Sequence, residues 1–491
     1  MLELVSSKEM KEIEQKTFAL GAASIDVMEK AAEAVADFIE LRFDKDVKIC
    51  VVCGKGNNGG DGYAAARLLY SAGYDVCIYN VFETPQTTDA KTNFDAAANL
   101  GVPFVKKIDA DVVIDAVLGI GISGGCNLDV IDEINESGAY ILAVDVPTGV
   151  NADTGAVLGK AVRVDATVTF GYIKTGLLQY PGKTLAGEIV LAPLDFVCAD
   201  TKTFYPDEDD IANMIPDMAA DEHKGSMGRV CIIAGSRGMT GAATLSAMGA
   251  LRAGAGLVSV IIPDNLNAIM EVKLTEAMTV PAACADALTF EAAKKAIDSV
   301  AADSYVIGPG LGRGEDIYKI VEYVLKKDVP VVIDADGINA LCGNIDILKQ
   351  FGKKAILTPH PGEAARLVGI SIEDVQNDRI TFAKTFAKEY NTTVVLKGAG
   401  TVIAAQSGNT FINLTGNPGM ATGGSGDVLS GIIGAFAARK MPAEYAAAAG
   451  TFVHGLAGDI AAREIGQMGM LPTDMAKCVA AALQRIKNPE Q

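Results

Sequence analysis

Apolar runs alternate with amphipathic segments along the N-terminal part of the chain. Apolar residues recur at helical spacing over 25–41, which predicts an amphipathic helix there. Continuous apolar runs predict buried strands at 47–53, 75–81, 111–118, 140–146, 164–170 and 187–192. Because strands that are apolar on both faces are typical of parallel sheets covered by helices, we expect an α/β fold.

The pattern changes at 200–221, where the chain is acidic, contains two prolines and loses its periodicity. A second series of strands and helices follows, with strands predicted at 229–235, 256–262, 304–308, 329–336, 354–359 and 392–398. The segment 401–414 reads as a hairpin around Gly408 and Asn409. A chain of 491 residues exceeds one ordinary core. We therefore expect two α/β domains, 1–210 and 211–491.

Composition narrows the class of partner. The net charge is −19, which disfavours a nucleic-acid or anionic membrane surface. The nine cysteines are scattered, and Cys50 and Cys53, the one pair with metal-ligand spacing, would point to opposite faces of a strand. We therefore expect reduced thiols rather than a metal site. The N-terminus lacks the apolar core of a signal peptide, and no apolar run is long enough to span a membrane, so we expect a cytoplasmic protein.

The most informative motif is GNPGMATGGSGDVLSG at 416–431. Its glycines permit a tight turn, and the apolar run that follows Asp427 predicts a helix starting at this turn. A helix N-terminus aims free N–H groups at one point, which suits a phosphate or an oxyanion. A carboxylate there suits a base that acts on a hydroxyl beside a phosphate. The alternative is a glycine-rich surface turn in which Asp427 caps the helix.

Similar loops follow other predicted strands. They are HKGSMGR (223–229), GSRGMTGAA (235–243), GPGLG (308–312), DADGIN (334–339), TPHPGE (358–363) and KGAGT (397–401). Loops at the carboxyl ends of parallel strands form the ligand cleft of α/β proteins, so the set predicts a nucleotide or phosphate cleft. His360, held between two prolines, is expected to face the ligand, whereas His454 fits a core or a functional position equally well.

In this order and spacing, these motifs resemble the ADP-dependent NAD(P)H-hydrate dehydratases of the ribokinase-like superfamily, over about 215–491. The resemblance implies a ribokinase-like α/β domain that dehydrates the S form of hydrated NADH and NADPH (NADHX and NADPHX). It further implies that ADP, with Mg²⁺, phosphorylates the hydroxyl and that phosphate is then eliminated. Asp427 resembles the catalytic base. The implied substrate contacts are Ala242, Gly310, His360 and Asp427, and the implied nucleotide contacts are Lys397, Gly398, Ala399, Gly400, Thr401 and Gly426.

The N-terminal half has its own glycine-rich loop, GKGNNGGDGY at 54–63, between a predicted strand and a predicted helix. It matches neither common nucleotide-binding pattern, and a capped turn is the alternative to an anion site. Asp115 and Asp145 each end an apolar run, where a carboxylate is costly unless it is paired or coordinated. With Asn58 they suggest a cation site made of oxygens. Lys174 either lies across the same cleft or is a surface lysine.

NNGGDG, DAVLGIG, DVPTG and FGYIKTG resemble the NAD(P)H-hydrate epimerases over about 1–205. The resemblance implies a Rossmann-like three-layer sandwich that interconverts the R and S epimers. The implied substrate contacts are Asn57, Asn58, Gly59, Gly60, Asp61, Gly119, Ile120, Gly121, Ile122, Ser123, Gly124, Gly125 and Asp145. The implied K⁺ ligands are Asn58, Asp115 and Thr148, where many relatives have serine in place of Thr148. Asp145 is the first candidate for the catalytic base or acid.

Together, the two resemblances predict a bifunctional enzyme that repairs both epimers of hydrated NADH and NADPH, and we expect it to form a homo-oligomer. Two alternatives remain open at this stage. The first is a small-molecule hydroxyl kinase of the same superfamily with an N-terminal ligand-binding module. The second is an N-terminal half that serves as a binding or scaffold module without turnover.

Overall fold

The computed structural model describes residues 1–122 and 124–488. It divides into two compact units, Glu3–Lys202 and Thr203–Gln491, with Met1–Leu2 grouped with the second. The division therefore lies slightly before the predicted boundary between 210 and 211. The reason is the strand Thr203–Tyr205, which pairs with Thr410–Asn413 of the second unit. None of the described helices is both long and apolar enough to cross a bilayer.

The N-terminal unit is built around a parallel sheet. Its strands are β1 (Leu2–Val5), β2 (Lys48–Cys53), β3 (Asp75–Asn80), β4 (Phe104–Val105), β5 (Val112–Ala116), β6 (Tyr140–Val144), β7 (Ala166–Phe170), β8 (Ile173–Lys174) and β9 (Glu188–Ala192). Its helices are α1 (Ser7–Ala19), α2 (Ser24–Arg42), α3 (Asn57–Ser71), α4 (Thr88–Leu100), α5 (Val130–Glu136) and α6 (Gly182–Leu185), with a 3₁₀ turn at Thr175–Leu178. Seven strands form the sheet in the order β4-β3-β2-β5-β6-β7-β9, and β1 pairs separately with β8.

Helices cover both faces of this sheet, as the apolar strands predict. One core contains Val35 of α2 and Leu69 of α3, and the other contains Ile131 of α5. Cys53 belongs to the first core and Cys50 to the second, which confirms that their side chains point to opposite faces. The N-terminal unit is therefore a three-layer α/β sandwich.

The C-terminal unit is a larger α/β sandwich. Its strands are β10 (Thr203–Tyr205), β11 (Arg229–Ile233), β12 (Leu257–Pro263), β13 (Met278–Ala282), β14 (Ser304–Ile307), β15 (Val331–Ile333), β16 (Ala355–Leu357), β17 (Thr393–Leu396), β18 (Thr401–Ala404) and β19 (Thr410–Asn413). They lie in the order β13-β12-β11-β14-β15-β16-β17-β18-β19-β10. The neighbours are parallel except at β17–β18 and β18–β19, and the second of these pairs is the predicted hairpin at 401–414.

Thirteen helices and three 3₁₀ turns accompany this sheet in the part of the chain that the structure describes. The helices are α7 (Glu208–Met214), α8 (Thr240–Arg252), α9 (Asn267–Lys273), α10 (Phe290–Asp298), α11 (Glu315–Leu325), α12 (Asp336–Ala340), α13 (Ile347–Phe351), α14 (Pro361–Val368), α15 (Ile372–Asn377), α16 (Arg379–Glu389), α17 (Ser425–Ala438), α18 (Ala443–Ile465) and α19 (Pro472–Lys487). The 3₁₀ turns are Asp264–Leu266, Gly352–Lys354 and Pro418–Met420. Helices α8, α17, α18 and α19 share one core with the strands.

Each apolar run of the sequence analysis contains a strand, and the predicted helix at 25–41 is α2. Strands β1, β4, β8, β10 and β13 were missed. Most of them are short, and β13 lies at a sheet edge, where Met278 is half exposed and the apolar pattern is weak. The predicted glycine-rich loops do follow the carboxyl ends of β11, β14, β15, β16 and β17, so the fold brings them to one edge of the sheet.

Candidate active sites

In the N-terminal unit, the loop after β2 leads directly into α3, which begins at Asn57. Its glycines allow the loop and the helix to approach neighbouring backbone closely. A Cβ on Gly54 would lie 1.9 Å from the carbonyl oxygen of Val117, and one on Gly59 would lie 2.1 Å from that of Gly54. Any side chain at these two positions would displace the helix start. Part of the glycine signal is therefore a packing requirement.

Asp115 and Thr148 form a buried hydrogen-bonded pair at the ends of β5 and β6. The hydroxyl and the backbone N–H of Thr148 donate to the two carboxylate oxygens of Asp115, at 2.7 and 2.8 Å. The backbone N–H of Leu118 donates to the Thr148 hydroxyl at 3.0 Å. Burial raises the pKa of Asp115 to about 6, against the opposing effect of these hydrogen bonds. Asn58 lies beside Gly119, and its Nδ2 donates to the carbonyl of Val144 at 2.7 Å.

Asn58 also carries an unusual oxygen. Its Oδ1 is buried and has no hydrogen-bond partner among the described residues. A buried polar atom without a partner is costly, so such an atom points to a ligand that the protein itself does not supply.

Asp145 and Lys174 form the second buried pair of this unit. Lys174 Nζ lies 2.5 Å from Asp145 Oδ1 and also donates to the Thr169 hydroxyl at 3.2 Å and the Phe170 carbonyl at 3.0 Å. The side chains are 1% and 12% exposed, so Lys174 is not a surface lysine. Asp145 has a φ of 70°, which a non-glycine residue adopts only when its surroundings hold it there.

The Asp145–Lys174 pair faces a cavity of about 460 Å³. Three further carboxylates line the same cavity, Glu14 of α1, Asp61 of α3 and Asp89 of α4. Burial and the nearby Asp145 raise the pKa of Glu14 and of Asp61, and Lys174 opposes this rise. The cavity therefore offers one carboxylate paired with a lysine and two carboxyls whose pKa is raised above its ordinary value.

Most of the predicted N-terminal substrate contacts meet at this cavity. Those that line it are Asn57, Asn58, Asp61, Gly119, Ile120, Gly121, Ile122 and Asp145. Gly59 and Gly60 are buried against Gly54 and Met28 and do not line it. Gly124 and Gly125 are exposed and also lie outside its lining, and Ser123 falls outside the described residues. Glu14 was missed, because nothing in the pattern of α1 separates it from a solvent-facing glutamate.

In the C-terminal unit, Asp427 lies in the first turn of α17. The residue before this helix, Gly424, has a φ of 104°, and no side chain caps the helix start. No described donor bonds to the Asp427 carboxylate, so the capped-turn reading is not supported. Burial, followed by repulsion from Asp334, raises the pKa of Asp427 to about 7. A carboxyl of this kind can accept a proton near neutral pH.

Lys397, at the end of β17, lies within the carboxylates around Asp427. Its Nζ donates to Asp334 at 3.0 Å and lies 3.8 Å from Glu363. Burial lowers the pKa of Lys397, but Asp334 and Glu363 outweigh burial and raise it above its ordinary value. A Cβ on Gly426 would lie only 3.1 Å from Lys397 Nζ. The fold therefore brings together KGAGT and Gly426, which the sequence analysis assigned to nucleotide binding.

His360 caps α14 instead of standing free. Its Nδ1 accepts the backbone N–H groups of Gly362 and Glu363, at 3.0 and 3.2 Å, so the proton of the neutral ring sits on Nε2. Burial lowers the pKa of His360, against the opposing charge of Glu363. The ring remains half exposed, and its Nε2 lies 3.5 Å from Oε1 of Glu363.

The other predicted contacts of this unit occupy neighbouring loops. A Cβ on Gly310, whose φ is 62°, would lie 3.1 Å from the Cβ of Ala242, so these two predicted substrate contacts adjoin. Gly398 and Ala399 are exposed at the end of β17, and Gly400 is buried. The Thr401 hydroxyl donates to the Gly398 carbonyl at 2.7 Å and so closes this loop.

Arg379 and His454 are buried near these loops. Arg379 is 8% exposed and donates to the carbonyls of Leu396 and Lys397, at 3.0 and 3.3 Å. It forms no ion pair among the described residues, and burial lowers its pKa to about 10. The sequence analysis missed Arg379, since it starts an ordinary amphipathic helix. His454 lies 3.3 Å from the Ser425 hydroxyl, and burial lowers its pKa to about 4, so it is neutral.

Comparison with known proteins follows the division into two units. Residues 230–480 match the NAD(P)H-hydrate dehydratase family, and residues 24–176 match the family described as YjeF-related protein N-terminus. The bifunctional NAD(P)H-hydrate repair enzyme Nnr of Moorella thermoacetica is 38% identical over 494 residues, covering 94% of this chain and 93% of that protein. The enzyme of the same name from Escherichia coli is 36% identical over 485 residues, covering 96% of this chain and 91% of its own.

Two solved structures resemble the C-terminal part of the chain. One is an ADP/ATP-dependent NAD(P)H-hydrate dehydratase from Bacillus subtilis, co-crystallised with ATP and Mg²⁺. It is 30% identical, with a TM-score of 0.50, and the match covers 57% of this chain and 98% of that one. The other is a ribokinase-like superfamily protein from Enterococcus faecalis. It is 29% identical, with a TM-score of 0.51, and the match covers 60% of this chain and 99% of that one.

Proposed function

The chain belongs to the family of bifunctional NAD(P)H-hydrate repair enzymes, and we propose that its two sites, one in each unit, divide the repair between them. The N-terminal unit interconverts the R and S epimers of hydrated NADH and NADPH. The C-terminal unit dehydrates the S epimer with ADP. One unit therefore converts the epimer that the other cannot use, and the whole hydrated pool returns to working cofactor.

In the N-terminal unit, the Asp145–Lys174 pair is the proposed acid–base machinery. Epimerisation needs a proton to leave and return near the hydroxyl-bearing carbon of the substrate ring. Asp145 is held at the cavity wall by Lys174 and Thr169, so its carboxylate is oriented before substrate arrives. Burial raises the pKa of Asp61 and of Glu14, so these two carboxyls at the same cavity take up a proton more readily than exposed ones.

K⁺ is the proposed resident cation of this unit. The buried Asn58 Oδ1 without a partner fits a cation ligand, and Asp115 supplies a carboxylate next to the same strand ends. The Thr148 hydroxyl is already engaged with Asp115, and its carbonyl oxygen accepts the N–H of Val162 at 2.9 Å. The second lone pair of that carbonyl is left for the third ligand bond. These are neutral and anionic oxygens, the donor set that hard cations prefer. A bound cation would neutralise Asp115 and orient the Asn58 end of α3.

In the C-terminal unit, Asp427 is the proposed base. The observation that supports this most directly is that its carboxylate, which accepts no hydrogen bond from a described residue, lies in the first turn of α17 beside Lys397. Asp427 takes the proton of the substrate hydroxyl while the hydroxyl oxygen bonds to the terminal phosphorus of ADP and AMP leaves. The phosphate then departs with the carbon–oxygen electron pair, and loss of a neighbouring ring proton restores the double bond. The N–H groups of α17 and Lys397 stabilise the phosphoryl charge.

Mg²⁺ is the proposed partner of ADP. The carboxylates of Asp334, Glu363 and Asp427 act on a single ammonium, that of Lys397, and Asp336 adds negative charge near Asp427. A polyanionic nucleotide therefore needs a further cation here. No group of three acidic, histidine or cysteine side chains among the described residues is arranged to hold a metal alone. This agrees with Mg²⁺, which is usually bound by one or two carboxylates together with water and substrate phosphates. When bound, it would neutralise charge on the transferring phosphoryl group.

We also propose that the enzyme works in the cytoplasm as a homo-oligomer. Support for the compartment comes from the nine cysteines, all of which are free thiols, as in proteins kept reduced. Sedimentation at micromolar concentration, in the presence and absence of ADP, tests the oligomeric state.

A double dissociation tests the assignment of the two sites. The full chain is given Mg²⁺, ADP and a mixture of both epimers of hydrated NADH, and recovery of reduced-nicotinamide absorbance is followed with chromatography of the epimers. We expect complete recovery for the wild type. Asp427→Ala should abolish recovery while epimer exchange continues, and Asp145→Ala should dehydrate the S epimer and leave the R epimer behind.

Two results would contradict these roles. Loss of both activities in a folded Asp427→Ala protein would contradict the assignment of the two activities to separate sites. Accumulation of a stable phosphorylated product by the wild type would favour the hydroxyl kinase instead. Replacing ADP by ATP in the same assay measures the nucleotide preference, which we expect to favour ADP.

A further inference from the structure

A second cavity of about 410 Å³ lies in the C-terminal unit, beside the loops that end β14 and β15. It is separate from the groups assigned above to nucleotide binding, which follow β17 and precede α17. Its lining includes Gly312, Arg313, Tyr318, Asp336, Asn339 and Arg366. None of the motifs used for the proposed function explains the two arginines.

The acidic side chains that line this cavity have partners, whereas its arginines have few. Its two carboxylates are engaged, since Asp336 accepts the backbone N–H of Gly312 at 2.8 Å and Glu315 is paired with Lys319 at 2.8 Å. The guanidinium of Arg313 has no partner among the described residues. Arg366 donates a single hydrogen bond, to Asn339 at 3.2 Å. The cavity therefore presents unused cationic donors, which is the arrangement that binds an anion such as phosphate.

The start of α11 adds to this preference. The helix begins at Glu315 and runs for 11 residues, and no side chain caps its N-terminus. Free backbone N–H groups at the start of a helix favour a bound anion. Two guanidinium groups and one helix start thus line the same cavity.

The cavity adjoins the dehydratase site. Asp334 bonds to Lys397 in that site, and Asp336, two residues further on, lines the cavity. On the other side, Gly310 packs against Ala242, and Gly312 of the same loop lines the cavity. A ligand whose reacting hydroxyl lies at Asp427 can therefore extend along these two loops into the cavity.

We propose that this cavity binds the phosphate-bearing half of the hydrated dinucleotide, the part remote from the nicotinamide ring, through Arg313 and Arg366. The proposal rests on the proposed function, because a dinucleotide substrate is what requires a second anion site on the side away from ADP. The nicotinamide ring then lies at Asp427, and binding energy from the remote half positions the hydroxyl for phosphorylation.

Steady-state kinetics of Arg313→Ala, Arg366→Ala and the double variant test this site. We expect the KM for the hydrated dinucleotide to rise about tenfold in each single variant and further in the double one, which corresponds to about 1.4 kcal/mol per charged contact. The KM for ADP should stay within about twofold of the wild type. Arg366→Lys should recover part of the loss, because it retains the charge without the planar pair of donors.

Arg252→Ala is the matched control. Arg252 is an exposed arginine without a partner among the described residues, and it ends α8, about 20 Å from the start of that helix at the strand-end loops. It should leave both KM values unchanged. If the KM for ADP rises in the cavity variants and that for the dinucleotide does not, the cavity belongs to the nucleotide. If neither rises, the cavity binds no part of the substrate.

Binding of NADPH, the repaired product, tests the cavity independently of the dehydration reaction. NADPH carries the same phosphate-bearing half as the hydrated dinucleotide. Its fluorescence measures binding to the full-length protein without turnover. The substitutions leave the N-terminal unit unchanged, so the difference between the wild type and the double variant reports the cavity. Weaker binding by the double variant, with no dehydration by the wild type, would overturn the proposed function and retain the site. Equal binding by both proteins would overturn the site.

Discussion

Lys174 Nζ lies 2.5 Å from Oδ1 of Asp145, and both side chains are almost fully withdrawn from water. Two separate segments position this pair, because Lys174 ends β8 and Asp145 directly follows β6. A buried ion pair contributes little net stability, because desolvation of the two ions offsets their attraction. Its value in this position is that it holds a carboxylate, in a strained backbone conformation, at the wall of a cavity.

Removal of Lys174 tests this role. We expect Lys174→Met to destabilise the N-terminal unit by about 3–5 kcal/mol, because it leaves the Asp145 carboxylate buried without its cation. Epimer exchange should fall by about 10²-fold or more. Urea denaturation measures the first effect, and chromatography of the epimers measures the second.

A double variant separates the effect of an unpaired buried charge on stability from the effect of the pair on activity. Lys174→Met with Asp145→Asn removes both charges, so it should regain most of the lost stability without regaining activity. Lys183→Met, a partly buried lysine of α6 without an ion pair, is the control and should retain epimer exchange. Normal epimer exchange in Lys174→Met would remove Lys174 from the mechanism.

The pH dependence of dehydration should report Asp427. Its pKa is raised to about 7, and the base must be ionised to accept a proton, so kcat/KM should rise with pH and level off above about pH 7. A raised carboxyl pKa also means that the folded protein disfavours the ionised form. Asp427→Asn should therefore raise the melting temperature above pH 7 and have little effect below about pH 4. A flat kcat/KM profile between pH 5 and 9 would contradict the assignment.

K⁺ should stabilise the N-terminal unit specifically. At a concentration about 100 times its Kd, an ion that binds only the folded state adds about 2.7 kcal/mol, and choline chloride at equal ionic strength should not. The effect should be larger at pH 8 than at pH 5, because the pKa of Asp115 is raised to about 6 and the cation binds its ionised form. Differential scanning calorimetry measures both comparisons.

Asn58→Ala should abolish this K⁺ effect, since it removes the buried oxygen that lacks a partner. Asn57→Ala is the control, because Asn57 is the exposed neighbour on the same helix start. Equal K⁺ stabilisation of the wild type and Asn58→Ala would place the ion elsewhere.

Gly426 tests the contact between the two nucleotide loops. A Cβ at this position would lie 3.1 Å from Lys397 Nζ and 3.7 Å from Asp334 Oδ2, so Gly426→Ala should displace the ammonium. We expect the KM for ADP to rise about tenfold, with a smaller effect on the hydrated dinucleotide. Gly423→Ala is the matched control, because a Cβ there would have no heavy atom within 4 Å. Equal kinetics of the two alanine variants would contradict the contact.

Much of the architecture was readable from local sequence pattern. Apolar runs such as 47–53 and 140–146 lie in strands because only a sheet covered on both faces buries every side chain of such a run. Strands such as β8 and β10 were not predicted. Two or three residues carry too little pattern, and their conformation depends on pairing partners far away in the chain.

The positions of the glycine-rich loops were likewise determined by sequence, since each follows an apolar run and the carboxyl ends of parallel strands meet at one edge. What each glycine does was decided by the tertiary structure. Gly59 is required by the Gly54 carbonyl beside it, whereas Gly426 is required by Lys397 from another loop. The second of these steric contacts joins residues that are distant in the chain.

The charged groups divide in the same way. The sequence by itself determined that Asp115 and Asp145 end apolar runs and that Asp427 follows a glycine-rich turn, and through its motifs it indicated the family. Only the tertiary structure decided which partner each acid has. Asp145 pairs with Lys174, Asp115 accepts from Thr148, and Asp427 has no hydrogen-bond donor in the part of the chain that the structure describes. The physical reason is that burial and the field of neighbouring charges, which determine what a carboxylate can do, arise only when distant segments pack together.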